Sequence, residues 1–387
     1  MAWLCSPAGE AALATAGDLV GRGDALAAAT ALRATGLDAD RAAAALTQAS
    51  LRRQAEAKFG PDAHRMLFTR AGLEQATRAV VATRRAERLV AAGATSVADL
   101  GCGIGSDARA FARAGLRVFA VEADPMTAAL AAANLHGTDA VVVPGDATAV
   151  DLSDVDAAFC DPARRDAARG RRVFDPDAFS PPWSFVMALA RSVARTVLKV
   201  APGLDHALIP AGAEAEWVSV GGDVVEAAIW CGPLAEHPRR ATVLRGDGAA
   251  VLVGSGVEQA PVGPLGRYLY DPDGAVVRSH LVAEFAATID GTLADPRIAY
   301  VFTDEPVATP FGSRFEIVDR LPYGVKSLRA ELRRRGIGRL EIRKRGVAVE
   351  PDRLRRDLRL EGPDEAVLVL TRIGDDRIAL LAVNERR

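Results

Sequence analysis

Hydrophobic and polar positions are arranged in two different ways along the chain, and each arrangement predicts a different architecture. Residues 1–92 consist of alanine-rich runs with apolar positions three and four apart, interrupted at Gly21, Gly36 and Gly60, which is typical of packed helices. From Thr95 onward, short apolar runs alternate with helical segments, a pattern that predicts a parallel sheet with helices on both faces. We therefore expect an α/β fold with a doubly wound sheet behind a helical N-terminal unit.

The alternating region divides into six predicted elements. The sequence predicts strands over 96–100, 116–121, 139–143 and 155–161, and helices over 106–114 and 125–135. Open parallel sheets bind ligands beyond the carboxyl ends of their strands, near the point where the strand order reverses. Residues that directly follow the four strands are therefore the candidates for a functional site.

A stretch rich in glycine and proline, residues 231–273, interrupts the regular pattern, and we place a domain boundary near residue 262. Beyond this boundary the pattern predicts a small α+β domain. Its predicted elements are helices at 275–287, 324–335 and 351–357, and strands at 298–302, 314–319, 338–343, 365–372 and 377–384. Three domains are expected: a helical domain over 1–92, an α/β domain over 93–261 and an α+β domain over 262–387.

The turn after the first strand is the most informative motif, because Gly101, Gly103 and Gly105 alternate behind Asp99. Glycine tolerates positive φ and a close approach of ligand to backbone, so this turn predicts a Rossmann-like cofactor site. The third glycine comes one residue earlier than in the Gly-x-Gly-x-x-Gly pattern of dinucleotide folds, which leaves less room for a pyrophosphate. The Asp99 carboxylate favours a cation, so S-adenosylmethionine is preferred, with a nicotinamide-dependent oxidoreductase as the alternative.

Further candidate cofactor residues follow the other strands. Glu122 lies 23 residues after Asp99, a spacing of one helix plus one strand, and its carboxylate can accept both ribose hydroxyls. Asp146 can accept a hydrogen bond from the adenine amino group. Taken singly, an acid at a strand end is more often a solvated cap, but four such features in register indicate a site. The predicted cofactor-binding residues are Asp99, Gly101, Cys102, Gly103, Gly105, Glu122, Ala123, Asp146 and Ala147.

Asp161 and Pro162 follow the fourth strand and are, together with Arg164, the predicted catalytic residues. A carboxylate and a rigid backbone carbonyl can both accept hydrogen bonds from an amine, which aligns its nitrogen lone pair with a sulfonium methyl group. The usual amine-methylating tetrapeptide carries a second proline and an aromatic residue, where this chain has Ala163 and Arg164. A guanidinium can stack on a base or pair with a phosphate, so Arg164 and Arg165 can substitute. The alternative is a plain turn, because Asp-Pro often ends a strand.

Composition narrows the class of protein. Hydrophobic residues make up 49% and charged residues 25% of the 387 positions, which is ordinary for a globular protein. No apolar run approaches the ~20 residues needed to cross a bilayer, so no membrane partner is expected. The four cysteines are Cys5, Cys102, Cys160 and Cys231, and they form no Cys-x-x-Cys pair. Neither a metal site nor a disulfide framework is therefore predicted. Scattered free cysteines are compatible with the reducing cytoplasm, which is the expected location.

Charge is distributed unevenly. The formal net charge of −2 argues against a globally basic nucleic-acid binder. Residues 324–360, however, contain 13 basic and 5 acidic side chains, a local excess of +8. Such a segment offers a surface for the phosphates of a nucleic acid. The alternative is a solvated helix face on which basic side chains such as Arg329, Arg333 and Arg334 surround Glu331.

In these motifs the chain resembles bacterial class I S-adenosylmethionine-dependent methyltransferases that carry a THUMP-like C-terminal domain. Its central part resembles the RNA cap guanine-N2 methyltransferase group. The matching strings are residues 58–59, 72–77, 99–105, 161–165, 198–203, 216–217, 268–272, 321–323 and 344–346. Because THUMP domains bind tRNA, the resemblance implies RNA as the partner and methyl transfer to a nitrogen of tRNA or rRNA. A methyltransferase for a small molecule or protein, or a non-catalytic module, are the alternatives.

Overall fold

The computed structural model describes residues 2–21, 25–164, 179–246 and 248–384. Its backbone contacts divide into two compact units. The first unit comprises Met1–Val200 and Ile229–Ala235, and the second comprises Ala201–Ala228 and Glu236–Arg387.

The first unit begins with helices and continues as alternating strands and helices. Its helices are α1 (Pro7–Val20), α2 (Ala25–Ala34), α3 (Ala39–Phe59), α4 (Arg70–Gln75), α5 (Ala79–Ala91), α6 (Ser106–Arg113), α7 (Pro125–Asn134) and α8 (Trp183–Ser192). Its strands are β1 (Ser96–Leu100), β2 (Arg117–Glu122), β3 (Val141–Pro144), β4 (Ala157–Cys160), β5 (Ala163–Arg164), β6 (Phe179–Ser180) and β7 (Arg195–Val200). The predicted helical start and the six predicted elements of the alternating region are all present.

The strands β7, β4, β1, β2 and β3 lie side by side in that order, and every neighbouring pair is parallel. The chain runs outward from β1 to β2 and β3 and then crosses to β4 on the other side of β1. Strand order therefore reverses between β1 and β4, where Leu100 pairs with Cys160. Both strands are buried along their whole length, as parallel strands covered by helices are. The predicted Rossmann-like, doubly wound α/β class is confirmed.

The second unit contains the remaining elements. Its strands are β8 (Glu214–Val220), β9 (Asp223–Cys231, whose last three residues belong to the first unit), β10 (Arg239–Arg245), β11 (Gly248–Gly254), β12 (Tyr268–Pro272), β13 (Thr292–Leu293), β14 (Val301–Thr303), β15 (Gly312–Leu321), β16 (Ile337–Lys344), β17 (Asp364–Ile373) and β18 (Asp376–Asn384). Its helices are α9 (Gly274–Arg278), α10 (Val282–Thr288), α11 (Val325–Arg334) and α12 (Pro351–Leu358).

Strands β13, β14, β12, β15, β18, β17 and β16 form one sheet in that order, and its described pairs are antiparallel except for the parallel pair β16–β17. Helices α11 and α12 pack their apolar faces on this sheet. Their buried leucines share one core with sheet residues; they are Leu328, Leu332, Leu354 and Leu358. This arrangement is the small α+β domain expected at the C-terminal end.

Two sequence-based expectations for the second unit are wrong. Residues 231–273 do not interrupt the regular structure, because they contain β10, β11 and β12, and half of their glycines and prolines lie between these strands. The turn from β10 to β11 begins at Gly246, whose φ is 54°, while Val243 and Leu244 before it are buried. The single helix expected over 275–287 is two short helices, because His280 adopts a φ of 62° and ends the first of them.

Candidate cofactor site

A cavity of about 300 Å³ lies at the carboxyl ends of the parallel strands in the first unit. It is bounded by the turn after β1, the end of β2, the turn after β3 and the residue after β4. Most of the residues predicted from the sequence line this cavity; they are Asp99, Gly101, Cys102, Gly103, Glu122, Ala123, Asp146, Ala147 and Asp161. The structure thus brings them together in one place, as the convergence of parallel strand ends requires.

The glycine-rich turn bends as its sequence predicts. Gly101, Gly103 and Gly105 have φ values of 85°, 55° and 80°, a region in which a side chain is strained. A Cβ atom at Gly101 would lie 3.6 Å from the backbone oxygen of Asp161, which shows how closely the ends of β1 and β4 approach. Gly105 is not among the cavity-lining residues. It precedes α6, and a Cβ there would meet the backbone of Ala131 at 3.5 Å.

Asp99 is the most unusual group in the cavity wall. Its side chain is fully buried, and neither carboxylate oxygen has a hydrogen-bond partner among the described residues. Burial raises the pKa of Asp99 well above its usual value, and the neighbouring carboxylates of Asp107 and Asp161 add to the effect. A buried carboxylate without a partner is costly, and a positively charged ligand removes that cost. The site therefore fits a cationic cofactor.

Glu122 and Asp146 are held in place by backbone amides. The two carboxylate oxygens of Glu122 accept hydrogen bonds from the amides of Gly103 at 3.0 Å and Asp124 at 2.9 Å. Each oxygen can accept a second hydrogen bond, so the fixed carboxylate can still receive the two hydroxyls of a ribose. Asp146 caps the turn Ala147–Ala149 by accepting from the amide and hydroxyl of Thr148. Asp146 therefore both caps this turn and lines the cavity.

Asp161 is the predicted catalytic residue that reaches the cavity. Its side chain is 34% exposed, and its Oδ2 atom lies 2.6 Å from the Nζ atom of Lys199. Pro162 follows it and is buried. The backbone of Arg164 lies in β5, which pairs with β6, but its side chain and the whole of Arg165 lie outside the described residues.

Two residues that sequence reasoning did not single out also belong to the site. Lys199 lies next to the end of β7, and a charged side chain within an otherwise buried run was the available signal. Thr77 lines the cavity, is 4% exposed, and its hydroxyl has no hydrogen-bond partner among the described residues. Thr77 belongs to the string 72–77 that carries the family resemblance, but no sequence pattern gave it a role.

Asp107 also lines the cavity, but it carries its own counter-charge. The buried guanidinium of Arg85 forms an ion pair with Asp107. The same guanidinium lies 4.6 Å from the ring centroid of Phe159, a cation–π contact. Arg85 is therefore part of the interior and not of a surface that could contact phosphates.

The cysteines near the cavity are unreactive. Burial raises the pKa of the Cys102 thiol far above its usual value, and the carboxylates of Asp99 and Glu122 add to the effect. Burial likewise raises the pKa of Cys160. Both thiols are therefore protonated at neutral pH, and neither is a nucleophile. Across the described residues no group of three or more His, Cys, Asp or Glu side chains is arranged to hold a metal ion.

Comparison with known proteins identifies the family. Residues 98–166 match the methyltransferase domain family, residues 312–383 match the THUMP domain-like family, and residues 1–55 match a domain of unknown function. The chain is 35% identical over 347 residues to an uncharacterized S-adenosylmethionine-dependent methyltransferase of Mycobacterium tuberculosis, covering 87% of this chain and 94% of that protein. The chain belongs to the S-adenosylmethionine-dependent methyltransferase family.

The fold of this methyltransferase also has a solved counterpart. The crystal structure of a putative methyltransferase from Porphyromonas gingivalis W83 superposes with a TM-score of 0.73 at 19% identity, over 90% of this chain and 92% of that one. The predicted enzyme class and the predicted cofactor, S-adenosylmethionine, are confirmed by the family, and the oxidoreductase alternative is set aside. In the part of the chain that is described, no helix is long and apolar enough to span a bilayer.

Replacing Asp99 by Asn is expected to stabilise the methyltransferase in the absence of cofactor. The amide keeps the shape of the side chain and removes the cost of ionising a buried carboxyl group. The pKa of Asp99 is raised in the folded state. The wild type therefore loses folding stability as the pH rises from about 4, the ordinary aspartate pKa, to the higher pKa of the folded state, and the loss is constant above that value. In thermal unfolding the variant should melt above the wild type at about pH 8, with a gap that narrows toward lower pH.

The same variant should bind S-adenosylmethionine more weakly. A cation beside Asp99 favours its ionised form, so the wild type should release protons on binding and bind more tightly as the pH rises. In isothermal titration calorimetry the Asn variant should lack this proton release and this pH dependence of affinity. The control Asp139→Asn, at an exposed position, should behave as wild type. An unchanged pH dependence in Asp99→Asn would show that this carboxylate does not face the cofactor.

Substitutions of Glu122 test the predicted ribose contact. We expect cofactor affinity to fall about tenfold in Glu122→Gln and up to about 100-fold in Glu122→Ala, because a charged hydrogen bond contributes about 1.5–3 kcal/mol and 1.4 kcal/mol is tenfold. Calorimetry measures the affinity and thermal unfolding checks the fold. The exposed Glu87→Ala on α5 is the control. Wild-type affinity in a folded Glu122→Ala would contradict the assignment.

Proposed function

We propose that this methyltransferase transfers the methyl group of S-adenosylmethionine to a nitrogen atom of structured RNA, a tRNA or an rRNA. The observation that carries the proposal is the position of Asp161. Asp161 lies in the wall of the cofactor cavity, its backbone oxygen is close to Gly101, and its side chain is one third exposed, so an acceptor from outside can reach its carboxylate. The predicted cofactor roles of the other cavity residues are part of the same proposal.

Positioning is the main contribution of the protein to this reaction. S-adenosylmethionine supplies a methyl group on a positively charged sulfur, which is a good leaving group. The carboxylate of Asp161 and a backbone carbonyl beside Pro162 accept the two N–H groups of an amine and aim its lone pair at the methyl carbon. The bond between nitrogen and the methyl carbon would form as the bond between sulfur and that carbon breaks. The electron pair of the broken bond would stay on sulfur, and the methylated amine would lose its extra proton to water.

The cysteine chemistry argues against a carbon acceptor that a thiolate would have to activate, and is compatible with nitrogen. A carbon atom of a nucleobase is a weak nucleophile, and covalent activation by a thiolate is one way to methylate it. Burial raises the pKa of Cys102 and Cys160, so neither thiol provides this activation. An exocyclic amine needs no such step. The N2 amine of guanine, suggested by the resemblance to the cap guanine-N2 group, has the two N–H donors that Asp161 and the carbonyl require.

The match of residues 312–383 to the THUMP domain-like family supports RNA as the partner. The basic segment 324–360 supports it less than its charge suggests. Arg334 and Arg335 form ion pairs with Glu331, and Arg343 and Arg345 form ion pairs with Asp271. The interpretation of α11 as a salt-bridged helix face is therefore correct for part of this segment.

Two further arginines of α11 stabilise its neighbour. Arg329 and Arg333 donate hydrogen bonds to the backbone oxygens of Asp357 and Arg359, at the end of α12. Cations are favourable at a helix C-terminus, so these side chains hold the two helices together. The basic side chains that remain for phosphates, exposed, without an ion-pair partner among the described residues and not engaged at the end of α12, are Lys326, Lys344, Arg356 and Arg359. We propose them as RNA contacts.

The reaction is tested with total RNA extracted from cells that lack this gene. Purified protein and methyl-labelled S-adenosylmethionine should place label in one N-methylated nucleoside, identified by mass spectrometry after digestion. The same nucleoside should be missing from the RNA of those cells, and Asp161→Ala should abolish the labelling. Label only in a protein or small-molecule fraction would assign the enzyme to the alternative substrate class.

RNA docking is tested by removing the proposed contacts. Lys326→Ser combined with Arg356→Ser should lower RNA affinity and reduce the slope of log K against log salt by about 1.4–1.8, because each phosphate contact contributes about 0.7–0.9. Arg334→Ser is the control, since this arginine is paired with Glu331. Filter binding over a range of salt concentrations gives both values. An equal effect of the control would show that net charge alone, and not these positions, governs binding.

A further inference from the structure

One wall of the cofactor cavity is supplied by the helical start of the chain. We call residues 69–77 the wall segment; it contains α4 (Arg70–Gln75) and continues to Thr77. Six of its nine residues line the cavity; they are Thr69, Ala71, Gly72, Gln75, Ala76 and Thr77. The wall segment therefore faces the strand ends that carry Asp99 and Asp161.

Leu67 and Phe68, the two residues just before the wall segment, are fixed by two buried amide side chains. Gln48 exchanges two hydrogen bonds with the backbone of Phe68, at 2.6 and 3.0 Å. Asn134 exchanges two with the backbone of Leu67, at 2.7 and 3.0 Å, and donates a third to the oxygen of Ile104 in the glycine-rich turn. These contacts imitate the pairing of two strands and tie this stretch to the turn.

Close packing adds to the same attachment. A Cβ atom at Gly72 would lie 2.5 Å from the Cγ2 atom of Ile104, so α4 approaches the glycine-rich turn more closely than any residue with a side chain allows. Ile104 shares an apolar cluster with Leu73 and Phe68. The first half of the wall segment is therefore held by interior packing.

The end of the wall segment is held by two lysines. The ammonium of Lys58 donates to the backbone oxygens of Leu73, Glu74 and Ala76, at 2.7, 2.7 and 3.1 Å. The ammonium of Lys199 lies 3.4 Å from the backbone oxygen of Gln75 and 2.6 Å from the Oδ2 atom of Asp161. Lys58 contacts the wall segment without contacting Asp161, whereas Lys199 contacts both.

We propose that Lys199 is a positioning residue for methyl transfer, which holds the carboxylate of Asp161 in one orientation and fixes that orientation to the wall segment. The inference rests on the proposed role of Asp161 as the group that receives the acceptor amine. Lys199 occupies the Oδ2 atom, and no hydrogen bond to Oδ1 comes from the described residues. The carboxylate is thereby presented with Oδ1 toward the acceptor.

Lys199 also supplies a counter-charge to one of the acids in the cavity wall. Asp99, Asp107 and Asp161 line the same small cavity, and counter-charges reduce the cost of ionising such a group of acids. Arg85 serves Asp107 in this way. Lys199 serves Asp161 with a side chain that is 14% exposed, so the pair is screened less than a surface ion pair.

The test separates a positioning role from a structural one by comparing two lysines. In Lys199→Met, kcat for total RNA from cells lacking this gene should fall about 10–100-fold, because misplacing a reacting group by about 1 Å costs up to about 100-fold. The KM for S-adenosylmethionine should stay within about threefold. Lys199→Arg should restore part of kcat, since it keeps a cationic donor. The comparison variant Lys58→Met removes a support of the wall segment without touching Asp161, so it should raise the KM for S-adenosylmethionine and lower kcat much less than Lys199→Met does.

A double-mutant cycle keeps the proposal testable if Lys199→Met folds poorly. When Lys199 acts through Asp161, Asp161→Asn and Asp161→Asn/Lys199→Arg should have the same kcat. An unchanged kcat in Lys199→Met, equal losses in Lys199→Met and Lys58→Met, or additive losses in the cycle would overturn the proposal. A wild-type kcat in Asp161→Asn would instead refute the proposed role of Asp161, and so distinguishes the two failures.

Discussion

Mutual repulsion between carboxylates that line one small cavity is the constraint on which this site depends. Asp99, Asp107 and Asp161 all line the cavity, and each is balanced differently. Arg85 neutralises Asp107, and Lys199 pairs with Asp161. Asp99 is left without a partner among the described residues, and its raised pKa expresses the resulting cost. If the positive cofactor supplies the missing counter-charge, as we propose, part of the energy of binding is stored as unfavourable interactions in the empty state.

Topology explains why much of this site could be predicted from the sequence. Parallel strands bring their carboxyl ends to one edge, so Asp99, Glu122, Asp146 and Asp161 converge although they are far apart in the chain. Local patterns were enough to find each strand end. Lys199 was missed as a site residue because its contact with Asp161 depends on the lateral order of β4 and β7, which no local pattern encodes. The contacts of Gln48 and Asn134 were missed for the same reason.

The basic segment shows the opposite limitation, since the sequence gives the charges without their partners. Its excess of +8 is a correct count, but Asp271 and Asp319 lie outside 324–360 and form ion pairs with its arginines. Arg329 and Arg333 donate hydrogen bonds to the backbone at the end of α12.

The strands β10 and β11 were missed because the glycines of 231–273 make any local pattern look irregular, although most of them lie between strands. Here, as in the basic segment, tertiary pairing decided what composition could not.

Asp161 belongs to two interactions at once, and this links the cofactor to the acceptor. Its carboxylate raises the pKa of Asp99, which means that the two acids repel each other in the empty cavity. A cation bound beside Asp99, as we propose for the cofactor, would offset that repulsion. By linkage, an acceptor that binds to Asp161 should favour the cofactor to the same extent. We therefore expect the two substrates to bind cooperatively, through electrostatics and without a change of fold.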